Sequence, residues 1–435
     1  MIKVLHLSDI HLGGGFSHGR VNPETGLNSR FEDFIGALKQ CIDRAVQTPV
    51  DLVIFGGDAF PDATPPPYVQ EAFANQFRRL ADAQIATVLL VGNHDQHAQG
   101  QGGASLSIYR TLGVPGFVVG DRLMTHTINT QSGPVQVITL PWLTRSALLT
   151  RPETENLSIS DVNQLLCDRL RVALEGEIRC LNSEIPTILL AHAMVDTACY
   201  GAERFLAVGK GFTLPLALLV RDCFDYVALG HVHRHQVLCE QPPVVYPGSI
   251  ERVDFSEEKE TKGFVLIELA RHHTRFEFCP LTVRPFRTIS VNLEAAKDPQ
   301  AVLLEALQLD QLQDAVVRLI YQIRSDQVCQ IDPAALHASL SQAHTYSIYP
   351  QLVSQQLRPR LPELGESSGL DPLTALHLYL SSRDDLQDIA ADMVSAVDCL
   401  LQADQKAETA DTSTVLANFS SAEAVADSST QLNLL

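Results

Sequence analysis

No uninterrupted apolar run in the chain approaches the ~20 residues that a membrane-spanning helix needs. The first residues, Met1-Ile2-Lys3-Val4, enter an apolar segment at once and leave no room for a signal peptide. The nine cysteines are scattered singly, with no C-x-x-C pair. That pattern argues against a thiolate metal site and for reduced thiols in a cytoplasmic protein. Basic charge is also short, with 32 Lys and Arg against 51 Asp and Glu, a net charge of −19. A chain that grips a polyanion unaided normally carries a basic footprint. Tight binding of nucleic acid would therefore need bound divalent cations or a partner to supply positive charge. The 435 residues, 45% hydrophobic and 19% charged, suit a globular protein of two or three domains.

One short pattern recurs five times. Thr87-Val88-Leu89-Leu90-Val91 runs through Gly92 into Asn93-His94-Asp95. Val4-Leu5-His6-Leu7-Ser8 leads to Asp9-Ile10-His11, and Leu52-Val53-Ile54-Phe55 passes Gly56-Gly57 to reach Asp58. Thr187–Ala191 delivers His192, and Tyr226–Gly230 delivers His231-Val232-His233. Short apolar, β-branched runs of this kind read as buried strands, and polar groups gather beyond the carboxyl ends of strands in α/β sheets. In Asp9-x-His11 and His231-x-His233 the spacing of two puts both side chains on one face of an extended segment.

Asp9, His11, Asp58, Asn93, His192, His231 and His233 together offer oxygen and imidazole donors without sulfur. Such a set suits manganese, magnesium, iron or zinc. Seven donors exceed the needs of one tetrahedral ion and match two ions that share a carboxylate, a recurrent device for displacement at phosphorus. The ten other histidines of the fifteen read as ordinary core or solvated side chains.

D-x-H, G-D, G-N-H-D, an isolated His after a strand and G-H-x-H, in this order over residues 1–235, resemble the calcineurin-like metallophosphoesterase superfamily. Asp9-Ile10-His11-Leu12-Gly13 and the stretch Tyr246–Phe255, followed by Glu257-Glu258 and Lys262-Gly263-Phe264, are similar to the SbcD-type nuclease subunits of double-strand-break repair. The resemblance implies an α/β fold, a β-sandwich flanked by helices, with a small α+β capping domain and C-terminal partner-binding helices. It assigns one ion to Asp9, His11, Asp58 and His233, and the other to Asp58, Asn93, His192 and His231, with Asp58 bridging. Manganese is the first expectation and magnesium the second. His94 would protonate the leaving oxygen or stabilise the phosphorane, with Asp95 orienting its ring. Arg204, Arg234 and Arg252 are candidate DNA contacts. The implied activity is 3′→5′ duplex exonuclease and hairpin endonuclease action. The implied partners are DNA, an SbcC-type ABC ATPase and a second copy of the chain within a heterotetramer, in a nucleoid-associated, cytoplasmic setting. Relatives often carry a histidine or an acid where Pro61 stands, and Asp62 follows it here.

Around these motifs the spacing predicts helices over 29–46, 68–81, 105–112 and 156–182, and a hairpin across 124–140. The helices at 68–81 and 105–112 occupy the places of the family's dimer contact, although core packing explains Val69, Phe73, Phe77 and Leu80 equally well. Residues 1–280 form the expected phosphoesterase domain. Residues 281–356 alternate strand and helix, and Asp298-Pro299 and Asp332-Pro333 each supply a cap followed by a first-turn proline. Residues 357–370 read as a linker, 371–403 as two helices and 404–435 as a disordered tail. Leu386, Ile389, Met393, Val397 and Leu400 fall at spacings of three and four, the seam of a partner-binding helix. Two other functions stay open: a phosphoesterase for a cyclic nucleotide or a phosphoprotein, and a non-catalytic adaptor for the ATPase.

Overall fold

The computed structural model describes residues 1–97, 103–143, 158–201, 213–309, 311–353, 372–381, 386 and 389–398. Two six-stranded sheets face each other. The first runs in the order Arg275–Pro280, Gly263–Leu269, Ile2–Leu7, Leu52–Phe55, Ala86–Leu90, Phe117–Gly120. Its last four strands are parallel, and the first two pair antiparallel. The second runs Gln236–Glu240, Pro243–Tyr246, Tyr226–Gly230, Thr187–His192, Gly133–Leu140, Met124–Thr130. Its four inner strands are parallel and both edges are antiparallel.

Parallel strands covered on both faces must be apolar throughout, which is why the sequence shows continuous rather than alternating runs. Val4, Ile54, Val88 and Leu90 meet Val137, Ile188, Leu190 and Ala228 between the sheets. On the outer face of the first sheet, Leu5, Leu7 and Phe55 pack against Phe34 and Leu38 of the helix Ser29–Gln47 and Phe73 and Phe77 of the helix Pro67–Asp82. The helix Ile159–Arg179 covers the second sheet through Leu166, Leu170 and Leu174. Asn28 caps the helix at Ser29 by accepting from the Arg30 amide, and Ser158 with Asp161 forms a capping box at Ile159. The third helix begins at Ser107, two residues later than predicted.

Residues 286–353 build a three-stranded sheet, Phe286–Asn292, Val316–Arg324 and Thr345–Val353. Ile289, Leu303, Leu307, Leu319, Leu336 and Leu340 form its separate core with the helices Pro299–Leu309 and Pro333–Ser339. Asp298 and Asp332 accept from the amides of Ala301 and Ala334 as capping carboxylates. The helix that opens at Pro333 is α-helical to Ser339 and closes with a 3-10 turn over Leu340–Gln342. The last strand runs through Pro350, which an edge position tolerates because no ladder donor is required there.

The boundary predicted near residue 280 separates two cores but not two bodies: Met1–Leu352 is one compact unit. The reason is a polar seam. The Arg284 guanidinium pairs with both oxygens of Asp33 at 2.8 Å. His344 Nε2 lies 2.7 Å from Ser29 Oγ, and Thr345 Oγ1 donates to the His18 carbonyl at 2.6 Å.

Val353–Leu435 forms a second unit. In it Pro372–Ser381 is a helix and residues 390–398 are helical. Ile389 and Met393 of the predicted seam are 47% and 37% exposed. The predicted linker 357–370, the tail 404–435, Leu400 and Arg204 lie outside the described residues. Among the described residues no helix is long and apolar enough to cross a membrane.

Candidate metal centre

The parallel strands of both sheets end on one side, and each releases its polar residues there. His192 Nε2 sits 2.9 Å from Asn93 Oδ1 and 3.3 Å from Asp58 Oδ2. Asn93 Oδ1 is also 2.8 Å from His231 Nδ1. On the other side of Asp58, His11 Nε2 lies 3.8 Å from Asp58 Oδ2 and 3.0 Å from His233 Nε2. The close groups are Asp9, His11 and His233; His11, Asp58 and His94; and Asp58, His192 and His231. Asp58 stands between two clusters, and all seven predicted donors share the neighbourhood.

The chain bends sharply to achieve this. Asp9, His11, Asp58 and His231 have φ of 52°, 46°, 60° and 100°, the left-handed region that side chains disfavour. Each such residue costs on the order of 1–3 kcal/mol. The adjoining strands bury Leu5, Leu7, Val53 and Phe55 completely. Each of those contributes about 1.5–3 kcal/mol, so the core can hold the strain. At Gly92 a β-carbon would overlap the Asp58 carboxylate, so only glycine lets that strand end approach.

The electrostatics show a site that demands positive charge. Burial alone would raise the Asp58 carboxyl, but the His192, His94 and His11 rings around it hold it well below the usual range. Burial would lower His192, yet the carboxylates of Asp58 and Asp9 push it up to about 9. His233 is likewise driven to about 9 against its burial by Glu257 and Asp9. His11 and His231 go the other way, lowered first by burial and then by the neighbouring His233 and His192 rings. Two imidazole Nε2 atoms 3.0 Å apart can share either a proton or a cation. Carboxylate, amide and imidazole donors gathered around a common carboxylate fit two divalent ions.

His94 is held differently from the prediction. Its Nδ1 is 2.8 Å from the Pro61 carbonyl, and its amide donates to Asp58 Oδ1 at 2.9 Å. Asp95 does not orient the ring. Its carboxylate is fully buried and accepts from the amides of Asp58, Gly92 and Ala59 at 2.9, 2.9 and 3.0 Å, with Ser105 Oγ at 3.3 Å. It ties two strand-end loops together, because backbone donors from both converge on it. Burial and the Asp58 charge raise it to about 6.

Arg252 also departs from expectation. Its guanidinium donates to the carbonyls of Glu257, Arg284 and Glu260 at 3.2, 3.1 and 2.7 Å, so it braces a loop instead of facing a phosphate. Arg234 is exposed directly after His233.

Four features play roles at the site for which the sequence carried no signal, although Pro61, Glu257 and Lys262 stand in stretches already noted. The Pro61 carbonyl is a backbone group and leaves none. Glu257 bonds His233 Nδ1 at 2.7 Å from 24 residues away, and Lys262 in turn pairs with Glu257 at 2.6 Å. Trp142 stacks on His231 at 4.8 Å between ring centres and lies edge-on to His192 at 6.0 Å. His11, Asp58, Pro61, His94, His231, His233 and Val253 line a cavity of about 110 Å³.

The two facing sheets and the buried carboxylate–imidazole cluster at their strand ends define a metal-dependent phosphoesterase. The chain belongs to the calcineurin-like phosphoesterase family, whose family model matches residues 2–235. Among solved structures it is similar to TT1561 of Thermus thermophilus, at 16% identity over 64% of this chain and 98% of that one, with a TM-score of 0.36. A dimetal phosphatase from Danio rerio is 11% identical over 64% of this chain and 95% of that one, with a TM-score of 0.37. The purple acid phosphatase PPD1 of yellow lupin seeds is 14% identical over 64% of this chain and 51% of that one, with a TM-score of 0.35.

Proposed function

We propose that this phosphoesterase is the nuclease subunit of an SbcCD-type DNA-repair complex. In this reading it is a manganese-dependent enzyme that hydrolyses DNA phosphodiesters as a 3′→5′ duplex exonuclease and a hairpin endonuclease. One observation carries the reading. The layer of residues 286–353 is joined through Thr288 and Glu258 to the turn whose Glu257 holds His233, and through Asp314 and Arg284 to Arg252, so a whole extra layer is tied to the metal centre. A small diffusing phosphoester needs no such layer, whereas a polymer must be guided to the cut. The exposed Ile389 and Met393 of the second unit support an ATPase partner, and the net charge of −19 favours a partner that shares the grip on DNA.

When bound, the two ions would polarise the phosphoryl oxygens and activate a water for in-line attack. Asp9, His11, Asp58 and His233 would hold one, and Asp58, Asn93, His192 and His231 the other. Because a carbonyl has no proton to give, His94 Nδ1 must donate to Pro61, so the proton that passes to the leaving oxygen would be the Nε2–H of the doubly protonated ring, which returns to the neutral Nδ1–H form. Asp95 keeps the Asp58 and Gly92 loops in register.

The test is a chelator-controlled assay on blunt and hairpin DNA, with and without an SbcC-type ATPase. Manganese-dependent cleavage of both substrates that increases with the ATPase is the expected result. Hydrolysis of a cyclic nucleotide with no cleavage of DNA under either condition would refute the proposal.

A further inference from the structure

One buried ionic cluster outside the seven donors touches the site. Glu257 Oε1 lies 2.7 Å from His233 Nδ1. Its other carboxylate oxygen accepts from Lys262 Nζ at 2.6 Å and from the Val253 amide at 3.1 Å. The Lys262 side chain is fully buried and also donates to Glu260 Oε2 at 2.7 Å, Ser249 Oγ at 2.8 Å and the His233 carbonyl at 3.2 Å. The same acid–base pair therefore holds both ends of His233, the acid its ring and the base its main chain.

The turn that carries Glu257 is seated from the far side by the third sheet. Thr288 of the strand Phe286–Asn292 donates its amide to Glu258 Oε1 at 3.0 Å. Phe255 meets Phe286 edge-on at 4.9 Å and lies under the Arg318 guanidinium at 4.3 Å. A buried Lys–Glu pair that served packing alone would satisfy its charges on each other. Here one carboxylate oxygen is committed to an imidazole whose opposite nitrogen faces His11 at 3.0 Å. A carboxylate on Nδ1–H fixes the ring's orientation and tautomer and leaves Nε2 to bind a cation.

We infer that Glu257 is the positioning residue for one of the two ions. It acts through His233, and it makes the 286–353 layer part of that ion's site. The inference rests on the two-ion reading proposed above.

The test is a Mn²⁺ titration of the metal-free full-length chain with two simultaneous readouts. The electron paramagnetic resonance signal of free Mn²⁺ counts both ions. The fluorescence of Trp142, the chain's one tryptophan, reports the ion beside His192 and His231. Glu257→Gln keeps the size and removes the charge. One ion should weaken by about 10–100-fold, the usual scale for such partners, while the ion read by Trp142 binds as in the wild type. Two ions bound with wild-type affinity, or both weakened together, would overturn the inference. If the wild type itself fails to take two ions, the two-ion reading falls first. Circular dichroism establishes folding. Should Glu257→Gln not fold, Glu257→Asp, which keeps the charge and shortens the reach, must show the same one-ion pattern, and failure of both to fold marks the cluster as structural only.

Discussion

His94 donates its Nδ1–H to the carbonyl oxygen of Pro61, 2.8 Å away, so a backbone group and not a carboxylate sets the ring that faces the metal cavity. The ring also stands edge-on to His11 at 5.0 Å. His94→Gln should lower turnover by about 10²–10⁴-fold, the range for loss of a general acid. Metal content, measured by elemental analysis after gel filtration, should stay at the wild-type level. Loss of metal in step with activity would make His94 a ligand.

Asp95 leads to a different expectation. Asp95→Asn would turn an amide NH₂ toward backbone donors that now meet a carboxylate. Leaving such a buried donor unpaired costs about 1–3 kcal/mol. The variant should melt at lower temperature and bind metal more weakly. Unchanged stability with a loss of turnover alone would restore the idea that Asp95 works through His94.

The five strand ends were legible because a parallel strand covered on both faces has no choice but a continuous apolar run, and the first polar residue after it marks the edge of the sheet. Asp9, Asp58, Asn93, His192 and His231 all sit at such edges. What stayed hidden was of two kinds. The partner of His94 is a backbone carbonyl, and the partners of Arg252 are three more, so no side-chain pattern could announce them. Glu257 and Trp142 reach the site through tertiary folding across 24 and 89 residues from the histidines they touch. The break at residue 280 was visible as a change of core, since residues 286–353 bury their own aliphatic set. The Arg284–Asp33 pair that welds the layers spans 251 positions and could not be read from either segment alone.

Metal uptake should expel protons. In the metal-free protein His192 and His233 are both raised to about 9, so both are charged at pH 7 and must lose a proton before binding an ion. Protons then compete with metal, and apparent Mn²⁺ affinity should rise with pH until about 9 and level off above it. Calorimetry at pH 7 in buffers of different ionisation enthalpy should count about two protons released per pair of ions. Release of none would show that those rings are neutral before metal arrives.

Truncation after Leu357 removes most of the second unit and keeps the strand Thr345–Val353 whole. The remaining enzyme should stay folded, dimeric and manganese-binding, and should lose association with an SbcC-type ATPase in gel filtration of the mixture. Duplex digestion should fall while a small phosphodiester is still cleaved. Unfolding on truncation would mean that the seam of Ile389 and Met393 packs within its own chain.

If two ions sharing Asp58 carry the hydrolysis, bound Mn²⁺ and cleavage of bis-p-nitrophenyl phosphate must fall together in Asp58→Asn, and both are measured there against the wild type. The wild type should hold two ions per chain and cleave the ester. Asp58→Asn should remain folded, fail to retain the pair and show no activity above background. Two tightly held ions with turnover preserved in Asp58→Asn would show that Asp58 does not bridge them.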